Sequence, residues 1–232
     1  GIDVFLVQIQ NVRDDLLAAI TRLQDEINKN QAMQLQQQRL IDDCNDKKTT
    51  FFEIPDYVAL KDEINKEFTK RHICSEAKFA CEYVIALKDE GWRDAIESFL
   101  GKRSYTILVD PEYYDIADDV LNASSHRYAH LFNTKLLMKK KLASEEDSVV
   151  RYIEVKNSVA KQYFEYQLGR MHAVTKEQVR NFENAISKEG RVSVAMDSYF
   201  LQFDKIRFYC LGQETIELNR IRAEKKLRSL VN

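Results

Sequence analysis

Residues 162–174 read QYFEYQLGRMHAV, and residues 94–109 read DAIESFLGKRSYTILV. Each runs an amphipathic helical pattern into Leu-Gly, then a basic residue, then a run of strand character. Trp92, Ala95, Ile96 and Phe99 mark one face of the first helix; Ala160, Phe164 and Leu168 mark the same face of the second. A unit stated twice predicts a pseudo-symmetric domain of two halves, with the turn glycines Gly101 and Gly169 at matching positions after their helices.

Working outward, AKFACEYVIAL (77–87) reads as a strand by its aromatic and β-branched content, and SYTILV (104–109) as a buried strand. DPEYYDIADDVLNASS reads as a helix with Asp110 as N-cap and Pro111 in its first turn, and RYAHLFNT (127–134) as a further strand. After the charged connection LLMKKKLASEEDS the pattern restarts: a helix over NSVAKQYFEYQLG, a strand over RMHAVT and a helix over TKEQVRNFENAIS capped by Thr175. RVSVAM then alternates as a strand, and YFLQFDKIRFYCL adds one or two more.

The flanks differ in period. Ile9, Val12, Leu16, Ala19, Leu23 and Ile27 step by threes and fours within residues 9–50, a coiled-coil seam that weakens in the glutamine-rich NKNQAMQLQQQRLIDD. Pro55 interrupts the helix and begins its resumption. ETIELNRIRAEKKLRSLV returns to a polar helix with Ile216, Ala223, Leu227 and Leu230 on its seam. The predicted fold class is therefore α/β (α+β), two pseudo-repeated halves flanked by antiparallel coiled-coil helices. Residues 1–72 are read as one arm segment, 73–143 as the first half, 144–215 as the second and 216–232 as the returning arm.

Composition supports long helices, because only 6 Gly and 2 Pro in 232 residues leave few turn formers, while 31% of residues are charged. A net charge of -2 makes no case for nucleic acid or membrane by itself. Cys44, Cys74, Cys81 and Cys210 show no metal spacing and suit a reducing compartment. No apolar run approaches the ~18 residues of a membrane span. The chain opens at Gly1 and both ends are helical in pattern, which suggests a piece of a longer protein.

Catalytic motifs fail one by one. GKRS at 101–104 lacks the second glycine of a phosphate loop, since position 96 is Ile. His126 and His130 are spaced for a metal, but no third ligand lies near. Asp118 with Asp119 and Glu145 with Glu146 read as solvated faces, and no GxSxG occurs. No catalytic residue, metal or cofactor is expected. The basic residues Lys135, Lys139, Lys140 and Lys141, with Lys102 and Arg103, suit sequence-independent contact with DNA phosphates through counterion release. A solvated connection, offset by the adjoining SEED, is the alternative.

EGWRDAIESFLGKRSYTILVDPEYYDIADDVLN, where a helix holding Ala-Ile-Glu and ending in Leu-Gly leads to a strand and a helix, resembles the first half of the hinge domain of SMC (structural maintenance of chromosomes) proteins. VKNSVAKQYFEYQLGRMHAVTKEQVRNFENAI resembles its second half, and CEYVIALKDEGWRDAIESFL is similar to bacterial SMC-like ATPases of chromosome-maintenance or plasmid-defence systems. The resemblance covers residues 74–215. It departs from conventional hinges in MDSYFLQFDKIRFYCLGQE, which carries only Gly212 where those have a glycine-rich interface stretch.

The resemblance implies a homodimer in which edge strands of one protomer extend the sheet of the other. The candidate edge is RVSVAMDSYFL, with Val192, Val194 and Met196 on its apolar side; ordinary core packing of the same side chains is the alternative. It further implies non-specific DNA contact, accessory subunits of an SMC-like complex, no membrane, a cytoplasmic and nucleoid-associated location, and ATP and Mg only in the parent protein's distant head. A coiled-coil scaffold whose tip binds a protein and no DNA is the competing reading.

Overall fold

The computed structural model describes residues 1–46 and 54–232. The end of the seam read over 9–50 and Phe51, Phe52 and Glu53 lie outside the described residues. Two compact units form, residues 1–48 with 217–232, and residues 49–216.

In the first unit, α1 (Ile2–Asn45) buries Gln37, Leu40, Ile41 and Cys44. Helix α7 (Thr215–Val231) runs antiparallel to it: Cys44 lies near Glu217 and Arg220, while Asn30 and Gln34 donate to the Leu230 carbonyl at 3.4 and 3.3 Å. Ala223 is buried, and the apolar stripe of α1 from Ile9 to Ile27 is exposed. Arg220 is held by Glu217 and Glu224, within one helical turn on either side.

The second unit begins with α2 (Pro55–Lys70), whose Tyr57, Leu60, Ile64 and Phe68 are all buried at helical spacing. This corrects the boundary at residue 72. Phe68 packs its ring 5.8 Å from Tyr113 and Tyr57 lies 6.4 Å from Tyr105, so α2 is part of the compact unit. An amphipathic helix does not announce which partner its apolar face will meet.

The two halves extend further upstream than the sequence repeat. In the first, a 3-10 turn at Ala80–Tyr83 leads into a strand at Val84–Leu87 and then a helix at Arg93–Leu100. In the second, a 3-10 turn at Val149–Tyr152 leads into a strand at Ile153–Val155 and a helix at Ser158–Leu168. In chain order these strands are β2 and β4 and the helices α3 and α6, with β1 at Lys78–Phe79 and β3 at Ile107–Leu108. β2 and β4 pair antiparallel, Val84 opposite Val155 and Leu87 opposite Ile153. Antiparallel pairing of equivalent strands is what a local twofold between the halves produces. Trp92 stacks on Tyr152 at 5.3 Å across the same junction.

Past the helices the halves diverge. β3 pairs with β1, and α4 (Tyr114–Ala123) and α5 (Thr134–Leu137) follow. In the second half, β5 (His172–Ala173), β6 (Ala185–Ile186), β7 (Arg191–Val194) and β8 (Asp197–Phe200) form one sheet in that order.

Three expectations are corrected here. TKEQVRNFENAIS is no helix: only Gln178–Asn181 makes a 3-10 turn, and Ala185–Ile186 is strand β6. Adjacent residues Ala185 and Ile186 are both fully buried because β6 has core on both faces and neighbours at both edges, parallel β5 and antiparallel β7. RYAHLFNT is no named strand; Leu131 makes a single parallel bridge to Ile107. AKFACEYVIAL is two strands, broken where the Glu82 carboxylate accepts from the Phe79 amide at 2.7 Å and tightens the chain into the 3-10 turn.

Candidate interface edge and basic cleft

β7 and β8 form a hairpin whose turn holds Ala195 and Met196 at φ of 50° and 70°. Two consecutive left-handed residues make the tight turn that matches strand twist, without the Asn-Gly or Gly that usually marks it. Asn184 Oδ1 accepts from the Ala195 amide at 2.9 Å and the Glu183 carbonyl from the Met196 amide at 3.0 Å, so the two residues that lead into β6 hold the turn in place. Met196 is thus a turn residue, 73% exposed, and Val192 is fully buried in the core, with Val194 half-buried beyond it. Of the two readings of Val192, Val194 and Met196, core packing describes Val192: β7 is an inner strand with both neighbours present, and β8 is the outer strand of the hairpin.

All four residues of β8 are exposed, Tyr199 and Phe200 at 43% and 58%. Arg191 fixes this aromatic pair, donating to the Tyr199 carbonyl at 3.2 Å and lying 5.3 Å over the Phe200 ring. Beside β8 opens a cleft of about 700 Å3 lined by Lys102, Tyr105, Tyr199, Phe200, Ile206 and Phe208.

Behind the cleft, the segment 208–214 hangs on α3 by side chains. The buried Glu97 carboxylate accepts from the amides of Cys210 at 3.0 Å and Leu211 at 2.8 Å, from the Cys210 thiol at 3.3 Å and from Arg93 at 3.3 Å. Arg93 also donates to the Leu211 carbonyl at 2.8 Å, to both oxygens of Glu90 and to Glu214 at 2.5 Å. Burial pushes the Glu97 carboxyl up while the two amides and Arg93 pull it down, and burial raises the Cys210 thiol. Sequence reasoning missed this network. Its only signal was the Arg-x-x-x-Glu spacing in WRDAIE, which is also the spacing of a solvated helix pair.

The basic residues separate. Arg103 is spent within the chain, donating across the halves to Gln167 Oε1 at 3.0 Å and to the carbonyls of Phe99 and Leu100 in its own half, with its guanidinium 4.6 Å over the Phe99 ring. Lys135 pairs with Asp115 at 2.8 Å. Both cations of the run read from sequence thus have partners within the chain. Lys102 is exposed at the cleft beside β8. Lys139, Lys140 and Lys141 are exposed on the connection between halves, where Lys140 and Lys141 line a second cleft with Glu165, Tyr166 and Arg170.

The repeated glycines serve different ends. Gly101 closes α3 at φ 50°, a conformation that disfavours a side chain. Gly169 is right-handed, but a Cβ there would sit 2.4 Å from the Glu165 carbonyl and 2.7 Å from Ser144 Oγ. It lets the lysine-bearing connection lie against the end of α6, where the Glu145 amide donates to the Gly169 carbonyl at 2.8 Å. Gly169→Ala is expected to cost about 1–3 kcal/mol by overpacking, read as a lower urea midpoint with an unchanged slope.

Among solved structures, an asymmetric dimer of the Geobacillus stearothermophilus SMC hinge domain superposes with a TM-score of 0.50 at 14% identity, over 88% of this chain and 84% of that one. The fold is that of an SMC hinge. A structure described as the folded elbow of cohesin gives 0.51 at 13% identity, covering 88% of this chain and 31% of the other. The Pyrococcus furiosus SMC hinge domain gives 0.48 at 18%, over 64% and 88%. No family model and no curated protein matches the chain. Within this hinge fold the paired strands β2 and β4 lie at the junction of the halves, and β8 ends the sheet of the second half. Among the described residues, no helix is long and apolar enough to cross a membrane and no group of three metal-ligating side chains occurs.

Proposed function

We propose that this chain is the hinge and dimerisation module of an SMC-like ATPase that organises, segregates or restricts DNA, and that it pairs as a homodimer through β8. The observation that carries the reading is the open β8 edge with Tyr199 and Phe200 exposed on it. An unpaired strand edge bearing large aromatics is a surface that another chain's backbone completes.

A second copy also supplies a fitting counterpart. Residues 127–132 have the composition of a strand, yet their one strand pairing among the described residues is the bridge to Ile107, and the amides of Ala129, His130 and Leu131 have no partner among the described residues. A segment whose local pattern asks for a strand and whose fold leaves it half-made is where a missing partner is expected. Tyr128 there is 79% exposed. In the dimer this segment of one protomer lies along β8 of the other, twice by symmetry.

Lys139, Lys140 and Lys141 supply sequence-independent DNA contact in this reading. ATP and Mg belong to the head of the parent protein, accessory subunits to the same complex, and the location is cytoplasmic and nucleoid-associated. The scaffold reading, a tip that binds a protein and no DNA, is separated by a salt-dependent gel shift. Loss of the shift on replacing the three lysines by Gln supports DNA contact; absence of any shift supports the scaffold.

A further inference from the structure

Two cysteines that lie far apart in the chain meet in the core. Cys81 sits in the 3-10 turn Ala80–Tyr83 of the first half and Cys210 on the strap 208–214 of the second, and both are buried. Their side chains hydrogen-bond to each other. The packing around them agrees: the Tyr105 ring lies 6.4 Å from Phe79 and 5.8 Å from Phe208, the residues two positions before each cysteine. The Tyr105 hydroxyl meets the Cys210 thiol as well. Both cysteines are free thiols, so the pair is in its reduced form.

The Cys210 thiol donates to Glu97 at 3.3 Å, and burial raises it above the ordinary thiol range, so in the closed molecule it is protonated and slow to react. Access comes from the strap. Its fastenings include the Glu97 carboxylate, Arg93 on the Leu211 carbonyl, and the Gln213 amide on the Ile85 carbonyl at 3.3 Å. Contacts of this kind release locally without unfolding the helices beside them.

We infer that Cys81 and Cys210 are a redox-modification site, a dithiol that a small neutral peroxide converts to a disulfide and a thiol reductant restores. Peroxide oxidises one thiol to a sulfenic acid and leaves as water. The second cysteine, as its thiolate, attacks the sulfenic sulfur, and the departing hydroxide takes up the released proton to give a second water. Two thiols and one peroxide thus become one disulfide and two waters, sulfur being oxidised and peroxide oxygen reduced. Glu97 loses one donor, the Cys210 thiol, and keeps the amides of Cys210 and Leu211. The product is a covalent tie between the turn of the first half and the strap that leads into α7 at Thr215. A link between residues so distant in sequence constrains the unfolded chain strongly, and in a reducing compartment it is transient.

The test treats the 232-residue chain carrying Cys74→Ser, which removes the exposed thiol, with hydrogen peroxide at neutral pH. Alkylation under denaturing conditions and trypsin without reductant follow. The expected product is peptide 79–88 joined to peptide 208–220, lighter by two hydrogens than their sum and absent after dithiothreitol. The urea midpoint should rise by about 1 M or more on oxidation and return on reduction. Cys81→Ala and Cys210→Ala, made singly in the same background, should show no rise. Separate peptides 79–88 and 208–220 after peroxide, or either one joined to the peptide of Cys44, overturn the site. A linked pair with an unchanged midpoint overturns the tie between the halves. The linked peptide is read on a chain that keeps both cysteines, so the result stands whether or not the alanine variants fold.

Discussion

Glu97→Ala is expected to destabilise the hinge by about 3–5 kcal/mol, a large share of what a domain of this size has to lose. The Glu97 side chain is 3% exposed and answers four donors, so its removal strands the amides of Cys210 and Leu211 and removes one counter-charge from Arg93, itself 4% exposed. Among the described residues no other carboxylate accepts from those amides. Urea unfolding followed by circular dichroism checks this: the midpoint falls while the slope is kept. Replacing the pair together, Arg93→Met with Glu97→Met, is expected to recover part of the loss, because an apolar pair leaves no buried charge unanswered. A loss under about 1 kcal/mol for Glu97→Ala would mean that the strap holds by packing alone.

The second large effect concerns assembly. Tyr199→Asp with Phe200→Asp is expected to raise the dimer dissociation constant about 100-fold or more, since central aromatics each carry about 2 kcal/mol or more in such contacts. The melting temperature of the protomer should hardly move, because both side chains are exposed within one chain. Tyr128→Asp, on the opposite candidate edge, is expected to act in the same direction. Sedimentation velocity reads all three. If the β8 variant stays as dimeric as the wild type, β8 is not the interface, whatever the state of Tyr128.

Much of the architecture was legible because the repeat is carried by helices, and a buried helix face leaves a periodic trace: Ala95, Ile96 and Phe99 in α3, Ala160, Phe164 and Leu168 in α6. The stripe from Ile9 to Ile27 marked α1 as a helix, but it is exposed, and α1 buries Gln37, Leu40, Ile41 and Cys44 in the stretch where the seam was read as weakening. Short strands leave less. Ala185–Ile186 is two residues long, and the helix-forming Lys, Glu and Gln upstream outweighed it until β5 and β7 enclosed it on both edges. The β7–β8 turn was hidden because Ala195 and Met196 are not the residues that usually take positive φ. Sequence pattern alone therefore did not separate the inner strand that holds Val192 from the outer one that exposes Tyr199 and Phe200. The basic residues looked equivalent in sequence; only tertiary contacts divide Arg103 and Lys135, which are bound, from Lys139, Lys140 and Lys141, which face solvent.

Pairing through β8 requires that two copies complete each other's open edge. Multi-angle light scattering of the purified chain over a range of concentrations measures that directly. The predicted result is a mass of twice the 27.2 kDa of one chain, held on dilution. A mass of 27.2 kDa at every concentration would contradict it.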